Sequence, residues 1–389
     1  MEKKCHLSWM ALRSNPLDMH ALNHRTPFLL FLGLFFLLAG LSAQESRLKL
    51  VFTGDIMGHD SQIASALSSG DEGYDYKPCF QYLRPYLQEA DLVIGNLEVT
   101  LAGPPYKGYP AFSSPDELAD ALRWAGFDIL VNANNHALDR GQTGLKRTIE
   151  QLDQRDLVQT GTFTDPDRRK FHYPLVVEKK GIRIALLNYT YGTNGLKETP
   201  PAIVNRIDKV QIQSDLEKAA TAEPDFILVC VHWGSEYQLN ENSEQRDLAR
   251  FMFRHGADAI MGSHPHVVQP IRGTGKGNLV AFSMGNLISN QRNRYRDGGI
   301  LFELELVKGP RGSEIGSFAY LPVWVWKPET KTGTSFSLVP ANSNESFVSQ
   351  VGMSPADKDL MLRFLSDTRT RLTGQKESLA PGVAMLSPR

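Results

Sequence analysis

Six polar side chains stand out by position as well as by type. Asp55, Glu98, Asn135, His232, His264 and His266 each follow closely on the end of a short apolar run. Residues 48–53 lead into Gly54-Asp55, and residues 91–94 into Gly95-Asn96-Leu97-Glu98. Residues 129–131 lead into Asn132-Ala133-Asn134-Asn135-His136, and residues 226–231 (FILVCV) into His232. Residues 259–261 lead into Gly262-Ser263-His264-Pro265-His266. Carboxylate, amide and imidazole groups are the donors that zinc, manganese and iron accept. Taken singly, each has an ordinary reading: Asp in a turn, His in the core, paired His on the surface. Taken together, in chain order, they argue for one metal centre. Proline biases His264 toward an extended backbone, in which residues i and i+2 point the same way. Both imidazoles of His264-Pro265-His266 are therefore expected to reach the same centre.

The apolar runs read as buried strands, with helical patterns between them. Ser114-Pro115-Asp116-Glu117 reads as a helix start, with Ser114 as cap and Gly126 as the stop. Further helices are expected near residues 143–154, 208–222 and 244–254. Residues 175–178 and 182–188 flank Lys179-Lys180-Gly181 and read as a hairpin. After residue 279 strands dominate. That order means α/β with a mixed sheet or two packed sheets, and sites in such folds gather at the carboxyl ends of strands. Residues 327–353 are polar and turn-rich, and residues 327–389 read as an appendage. Ser354-Pro355 caps a helix there, with Leu360, Met361, Phe364, Leu365 and Leu372 on its buried face. A frayed tail follows Gly374.

The N-terminus reads differently. Residues 28–41 are FLLFLGLFFLLAGL, preceded by Lys3, Lys4, Arg13 and Arg25 and followed by Ser42-Ala43. This is the pattern of a secretory signal over residues 1–43, with a retained N-terminal anchor as the alternative; the apolar run is shorter than the ~20 residues a membrane span needs. The protein is expected to be exported, to the periplasmic or extracellular face of the membrane. Removing residues 1–43, with four Lys/Arg and two acids, takes the formal net charge from −1 to −3. A near-neutral chain argues against nucleic acid as a partner. Of the three cysteines, Cys5 leaves with the signal, and Cys230 sits in an apolar run where a buried thiol is expected.

The ordered motifs resemble those of the calcineurin-like metallophosphoesterases: Gly54-Asp55, Gly95-Asn96-Leu97-Glu98, Asn134-Asn135-His136, His232 and Gly262-Ser263-His264-Pro265-His266. More narrowly, FTGDIM, DLVIGNLEVTL, NANNHALDRG, VHWGSEY, GADAIMGSHPHVVQP and AFSMGNLI resemble the CapA family of capsule and poly-γ-glutamate biosynthesis proteins. The resemblance implies mixed β-sheets packed with flanking helices, in one domain over residues 44–326. It also implies one or two divalent ions (Mn, Zn or Fe). Glu98, Asn135, His232 and His264 are the expected ligands of one, with Asp55 and His266 completing or bridging a second. Two positions depart from the phosphatase pattern. Met57 stands where the first motif has histidine, and Asn96 where the second has a bridging aspartate. Glu98, with its longer reach, and His59 are the candidate substitutes.

The expected function is a metal-dependent hydrolase acting on an anionic polymer or phosphoester at the cell envelope, with His136 as general acid. The alternative is a non-catalytic factor that binds the polymer in a residual metal pocket. Poly-γ-glutamate is the polymer the resemblance implies, and a membrane synthetase complex the partner. Arg292, Arg294 and Arg296 form a basic loop that suits an anionic substrate. Trp233, Tyr237, Lys107 and Tyr109 are secondary candidates for the pocket wall.

Overall fold

The computed structural model describes residues 45–67, 73–273, 277–330 and 333–380. The signal-like segment and the end of the tail lie outside those residues. Among the described residues no helix is long and apolar enough to cross a membrane.

Two sheets carry the fold. Their strands, in chain order, are β1 (Ser46–Ile56), β2 (Leu92–Leu97), β3 (Ile129–Val131), β4 (Val158–Thr160), β5 (Leu175–Lys179), β6 (Ile182–Thr190) and β7 (Phe226–His232). There follow β8 (Ala259–Ser263), β9 (Ile271–Gly273), β10 (Leu279–Ala281), β11 (Asn286–Ile288), β12 (Gly298–Gly309), β13 (Gly312–Trp326) and β14 (Ser337–Pro340). The first sheet has eight strands in the order β14-β13-β12-β1-β2-β3-β4, with β11 also pairing β1. The second has six, in the order β9-β10-β8-β7-β6-β5. Strands β1 to β4 run parallel in one sheet, and β6, β7, β8 and β10 run parallel in the other.

The near-continuous apolar runs follow from burial on both faces. Leu50 and Phe52 of β1 and Ile94 of β2 meet Leu186, Leu228 and Met261 of the second sheet in a common core. Val51, Val93 and Leu130 turn outward, onto Leu118, Ala121 and Leu122 of α1 (Glu117–Ala125). On the far side Leu187, Val229 and Val231 meet Ile212 and Leu216 of α3 (Lys209–Thr221) and Leu248 and Met252 of α4 (Ser243–Arg254). Helix α2 (Gly141–Asp153) follows β3. The result is a layered α/β fold whose mixed sheets lie face to face between helices, with each buried Leu, Ile or Phe contributing about 1.5–3 kcal/mol.

Several local expectations change. Helix α1 begins at Glu117, after Asp116, and Ser114 is not its cap. The Ser114 N–H donates to Thr100 O at 2.9 Å, and the side chain is buried beside Gly58. The Asp116 carboxylate pairs with Arg147 at 2.7 Å. The segment after residue 327 holds a strand that its polarity hides, β14, which forms an edge of the first sheet against β13. Helix α5 (Pro355–Arg371) is capped by Ser354, whose Oγ accepts from Asp357 N at 3.1 Å. It buries Met361, Phe364 and Leu365 against Trp324, Trp326 and Val339. Leu360 is 38 % exposed and lies off that face. Cys79 and Cys230 are both free and buried.

Candidate metal centre

The parallel strands of both sheets end at one edge, and the six side chains meet there. Asp55 lies next to last in β1, Glu98 just past β2, Asn135 past β3, His232 at the end of β7, and His264 and His266 past β8. Close backbone approach makes this convergence possible. A Cβ on Gly54 would stand 2.0 Å from Gly285 O, where the Asp55 N–H donates at 3.0 Å. A Cβ on Gly262 would stand 2.0 Å from Phe282 O. Only glycine tolerates either position.

Glu98 is the hub. Its Oε1 lies 3.5 Å from His232 Nε2 and 3.9 Å from His266 Nε2. Two sets, Glu98 with His264 and His266 and Asp55 with Glu98 and His232, each bring their donor atoms within 4.8 Å of one another. Glu98 belongs to both, which is where a bridging carboxylate would sit. The Asn135 Oδ1 is 2.8 Å from His232 Nε2 and so faces the same point.

The remaining ring atoms are held from behind, as second partners orient metal-binding histidines. His232 Nδ1 is 2.9 Å from Ser263 Oγ. His266 Nδ1 faces Asp55 Oδ2 at 2.9 Å and Asn286 Oδ1 at 3.0 Å. The Asn286 Oδ1 can only accept, so His266 Nδ1 donates to it and Nε2 is the ring nitrogen turned toward Glu98.

The centre fits a divalent cation on its own polar atoms. Glu98 is fully buried, and among the described residues no group donates to either carboxylate oxygen; the Asp55 carboxylate beside it can only share a proton with it, and His264 Nδ1 has no partner. An unpartnered buried carboxylate is expensive unless a cation or a proton neutralises it. Burial, and then the Asp55 charge, push the Glu98 carboxyl well above its ordinary range. Burial, reinforced by neighbouring histidines, holds His232 well below the usual imidazole value and His264 down at about 3. Both imidazoles are therefore neutral at physiological pH, the form that binds metal.

His136 sits beside this group as a dyad. Its Nδ1 is 2.7 Å from Asp139 Oδ2, and its ring meets Phe112 edge-on at 4.6 Å. Asp139 also accepts from Phe112 N at 2.7 Å, which fixes the carboxylate.

The geometry of His264-Pro265-His266 differs from the extended segment expected. His264 has φ +97° and His266 φ +58°, both in the left-handed region. The rings still come within 6.0 Å of each other, but through a tight turn rather than alternation along a strand. Such backbone costs about 1–3 kcal/mol per residue and clusters at functional sites.

Both departures from the phosphatase pattern have a structural outcome. The Met57 side chain lies in the apolar core, with Ile56 and Leu97. Asn96 lies behind the centre, donating to Asp55 Oδ1 at 2.8 Å, 3.3 Å from His232 Nδ1, and accepting from Asn134 Nδ2 at 3.2 Å. His59 caps the short helix Asp60–Ala66, and its Nδ1 accepts from Asn290 N at 3.2 Å. It joins neither donor set.

Sequence reasoning did not single out Ser263, Asn286, Asn134 or Tyr191. Tyr191 packs on His264 at 4.5 Å between centroids and forms a wall of the site. The basic loop divides. Arg294 is forked onto Asp367 at 2.8 and 2.7 Å, and Arg292 Nη1 donates to Val325 O at 2.7 Å. Arg296 lies over Tyr237, which faces His266. Trp233 is buried, with Nε1 donating to Phe282 O at 2.9 Å, while Lys107 and Tyr109 are exposed.

Fold and site together define an α/β protein with a buried carboxylate–imidazole cluster at the joint edge of two sheets. The chain belongs to the family described as bacterial capsule synthesis protein PGA_cap, whose model matches residues 49–291. It is 31% identical over 262 residues to the capsule biosynthesis protein CapA of Bacillus anthracis, covering 64% of this chain and 61% of that one. It is 30% identical over 270 residues to the PGA biosynthesis protein CapA of Bacillus subtilis, covering 66% and 67%. The chain thus spans about three-fifths of the length of the Bacillus anthracis relative. Among solved structures it is similar to the calcineurin-like phosphoesterase YfkN of Bacillus subtilis, at 15% identity, TM-score 0.43, and coverage of 83% of this chain and 100% of that one. A Mycoplasma pneumoniae phosphatase is similar at 15% identity and TM-score 0.43, covering 72% and 95%.

Proposed function

We propose that this protein is a metal-dependent hydrolase of the cell envelope that acts on an anionic polymer or phosphoester during capsule synthesis. The observation that carries the reading is the Glu98 carboxylate, fully buried, shared by two sets of nitrogen and oxygen donors, and accepting from no donor among the described residues. Glu98, His264 and His266 would hold one divalent ion, and Asp55, His232 and Asn135, again with Glu98, would hold a second. An ion there supplies Lewis acidity and lowers the pKa of a coordinated water. The protein's own groups do the rest. Asp139 fixes the His136 ring through Nδ1, leaving Nε2 to hand a proton to the leaving group. Tyr191 and Phe112 wall the centre and limit water. The names of the Bacillus relatives favour poly-γ-glutamate as the polymer, and a membrane-bound synthetase is the corresponding partner. An exported location on the outer face of the membrane suits both.

A second reading is favoured by one observation. Met57 is buried in the core where a ligand histidine would otherwise stand, so the centre has one donor fewer. A centre weakened in this way could bind polymer without cleaving it.

The test incubates the purified full chain with poly-γ-glutamate and with phosphodiesters, with and without Mn²⁺ or Zn²⁺. Turnover that needs metal is expected. Bound metal with no cleavage of any substrate would select the binding reading. His264→Ala should keep native circular dichroism and lose metal; loss of both together would make His264 structural.

A further inference from the structure

The loop between β11 and β12 returns to the centre twice at one residue. The Arg296 carbonyl accepts from Asn286 Nδ2 at 2.8 Å, and Asn286 Oδ1 faces His266 Nδ1 at 3.0 Å. The Arg296 guanidinium lies over the Tyr237 ring, 3.3 Å from its centroid, and that ring stands 6.1 Å from the His266 ring. Tyr237 is itself tied to the histidine turn, because its N–H donates to Pro265 O at 2.8 Å. It holds a left-handed backbone, φ +67°, that a bulky residue adopts only under constraint.

The neighbouring arginines commit N–H groups to the protein, and among the described residues Arg296 meets only the Tyr237 ring. Arg294 is forked onto Asp367, and Arg292 donates to the Val325 carbonyl. Among the described residues the Arg296 guanidinium makes neither a hydrogen bond nor an ion pair. The Glu236 charge acts on Tyr237, but among the described residues Glu236 forms no ion pair with Arg296. A guanidinium stacked on a ring keeps its N–H fork in the plane, directed away from the ring. That fork matches a carboxylate or phosphate bidentately.

Resting on the hydrolase reading above, we infer that Arg296 on its Tyr237 platform is a specificity-determining residue. It pairs with an oxyanion of the substrate lying beside the bond held at the metal centre. In an acidic polymer this is the free carboxylate of the neighbouring unit, and in a phosphoester it is the phosphate.

Calorimetric titration of the metal-loaded full chain tests this with two probes, a short γ-linked glutamate oligomer and inorganic phosphate. The probe that binds identifies the source of the oxyanion. Arg296→Gln should weaken it roughly 10- to 100-fold, the worth of one charge-assisted pair. Tyr237→Ala should weaken it less, by releasing the guanidinium from its platform. Arg294→Gln should leave affinity unchanged, and metal content should be equal in all forms. The inference is overturned if Arg296→Gln binds like wild type, if Arg294→Gln loses as much, or if wild type binds neither probe. The hydrolase reading fails separately, through absent metal or absent turnover in wild type, whichever way the arginine comparison falls.

Discussion

Two buried carboxylates in this protein have opposite surroundings. Asp215 of α3 is 2 % exposed and accepts from Arg169 Nη2 at 2.6 Å, Tyr189 OH at 2.9 Å and Gln211 Nε2 at 3.0 Å. Arg169 is held in turn by Asn205 Oδ1 at 2.8 Å. Glu98 is 0 % exposed and accepts from nothing among the described residues. Both sites bury charge, but only one closes its hydrogen bonding within the chain. A closed network holds elements together, whereas an open one is a place for something to bind. The contrast also separates the two kinds of buried histidine neighbour. Asp139 answers His136 directly, while Glu98 stands 3.5 Å or more from the His232 and His266 nitrogens it faces.

The largest effect should come from the hub. Glu98→Gln removes the carboxylate shared by both donor sets. Metal affinity should fall by more than the roughly 10- to 100-fold typical of a partner behind the ligands. Metal-free Glu98→Gln should nevertheless be at least as stable as metal-free wild type, because an amide in this buried place need not take up a proton to be neutral. Metal titration and thermal melts on the same samples check both halves. A variant that melts lower while keeping its metal would make Glu98 a structural residue like Asp215.

His136 tests the closed pair inside the open site. His136→Ala should leave metal content near wild type and reduce turnover by roughly 10²–10⁴-fold. The loss should shrink with an activated phenolate leaving group, which needs no proton. Should the substitution strip metal instead, His136 is a ligand and the Asp139 pair is part of the metal shell.

Arg169→Ala attacks the closed region. It strands Asp215 as an unpaired buried charge, at a cost of about 3–5 kcal/mol. Chemical denaturation should report that loss, and metal binding at low temperature should be unchanged. A variant of normal stability with weakened metal would mean that the two regions are one network.

This contrast also explains how much could be read from sequence. Asp55, Glu98, Asn135, His232, His264 and His266 were legible because each follows an apolar run, and parallel strands must end together. The hairpin at Lys180-Gly181 was legible from local turn chemistry, since both residues adopt positive φ. What stayed hidden depends on contacts distant in the chain. Asn96 reads as a lost ligand until the fold places Asp55 and His232 beside it. Asn286 lies inside AFSMGNLI, but that motif gives it no role, and only the pairing of β1 with β11 sets it opposite Asp55. Strand β14 has just four residues, Ser337–Pro340, and its polar flanks mask it. Ser114 satisfies the capping pattern but gives its N–H to Thr100, a tertiary contact that overrides the local signal.

The smallest effect is the pH dependence of the metal-free protein, and it separates the open site's imidazoles from its carboxylate. His264 has a folded value of about 3 against an ordinary 6.5, lowered first by burial and then by His266. Below pH 6.5 the unfolded chain takes up a proton that the folded site refuses. The unfolded state then binds more protons, so stability rises with pH through this window and falls as pH drops from 6.5 toward 3. The slope is about 1.4 kcal/mol per pH unit for one proton. Glu98 has the opposite sign. Its folded value is raised, so it favours the folded state at low pH and loses that contribution as pH rises above the ordinary value of 4.5. The two groups therefore oppose each other near pH 5, and the wild-type curve alone does not resolve them. The difference between wild type and His264→Gln does, because it cancels Glu98 to first order. In chelator-treated protein that difference should be flat above pH 6.5. From pH 6.5 down to pH 5 it should change by about 2 kcal/mol, with wild type losing stability faster. Stability curves that run parallel across this range would mean that His264 is solvated in the metal-free state, and that the open site relaxes when its cation leaves.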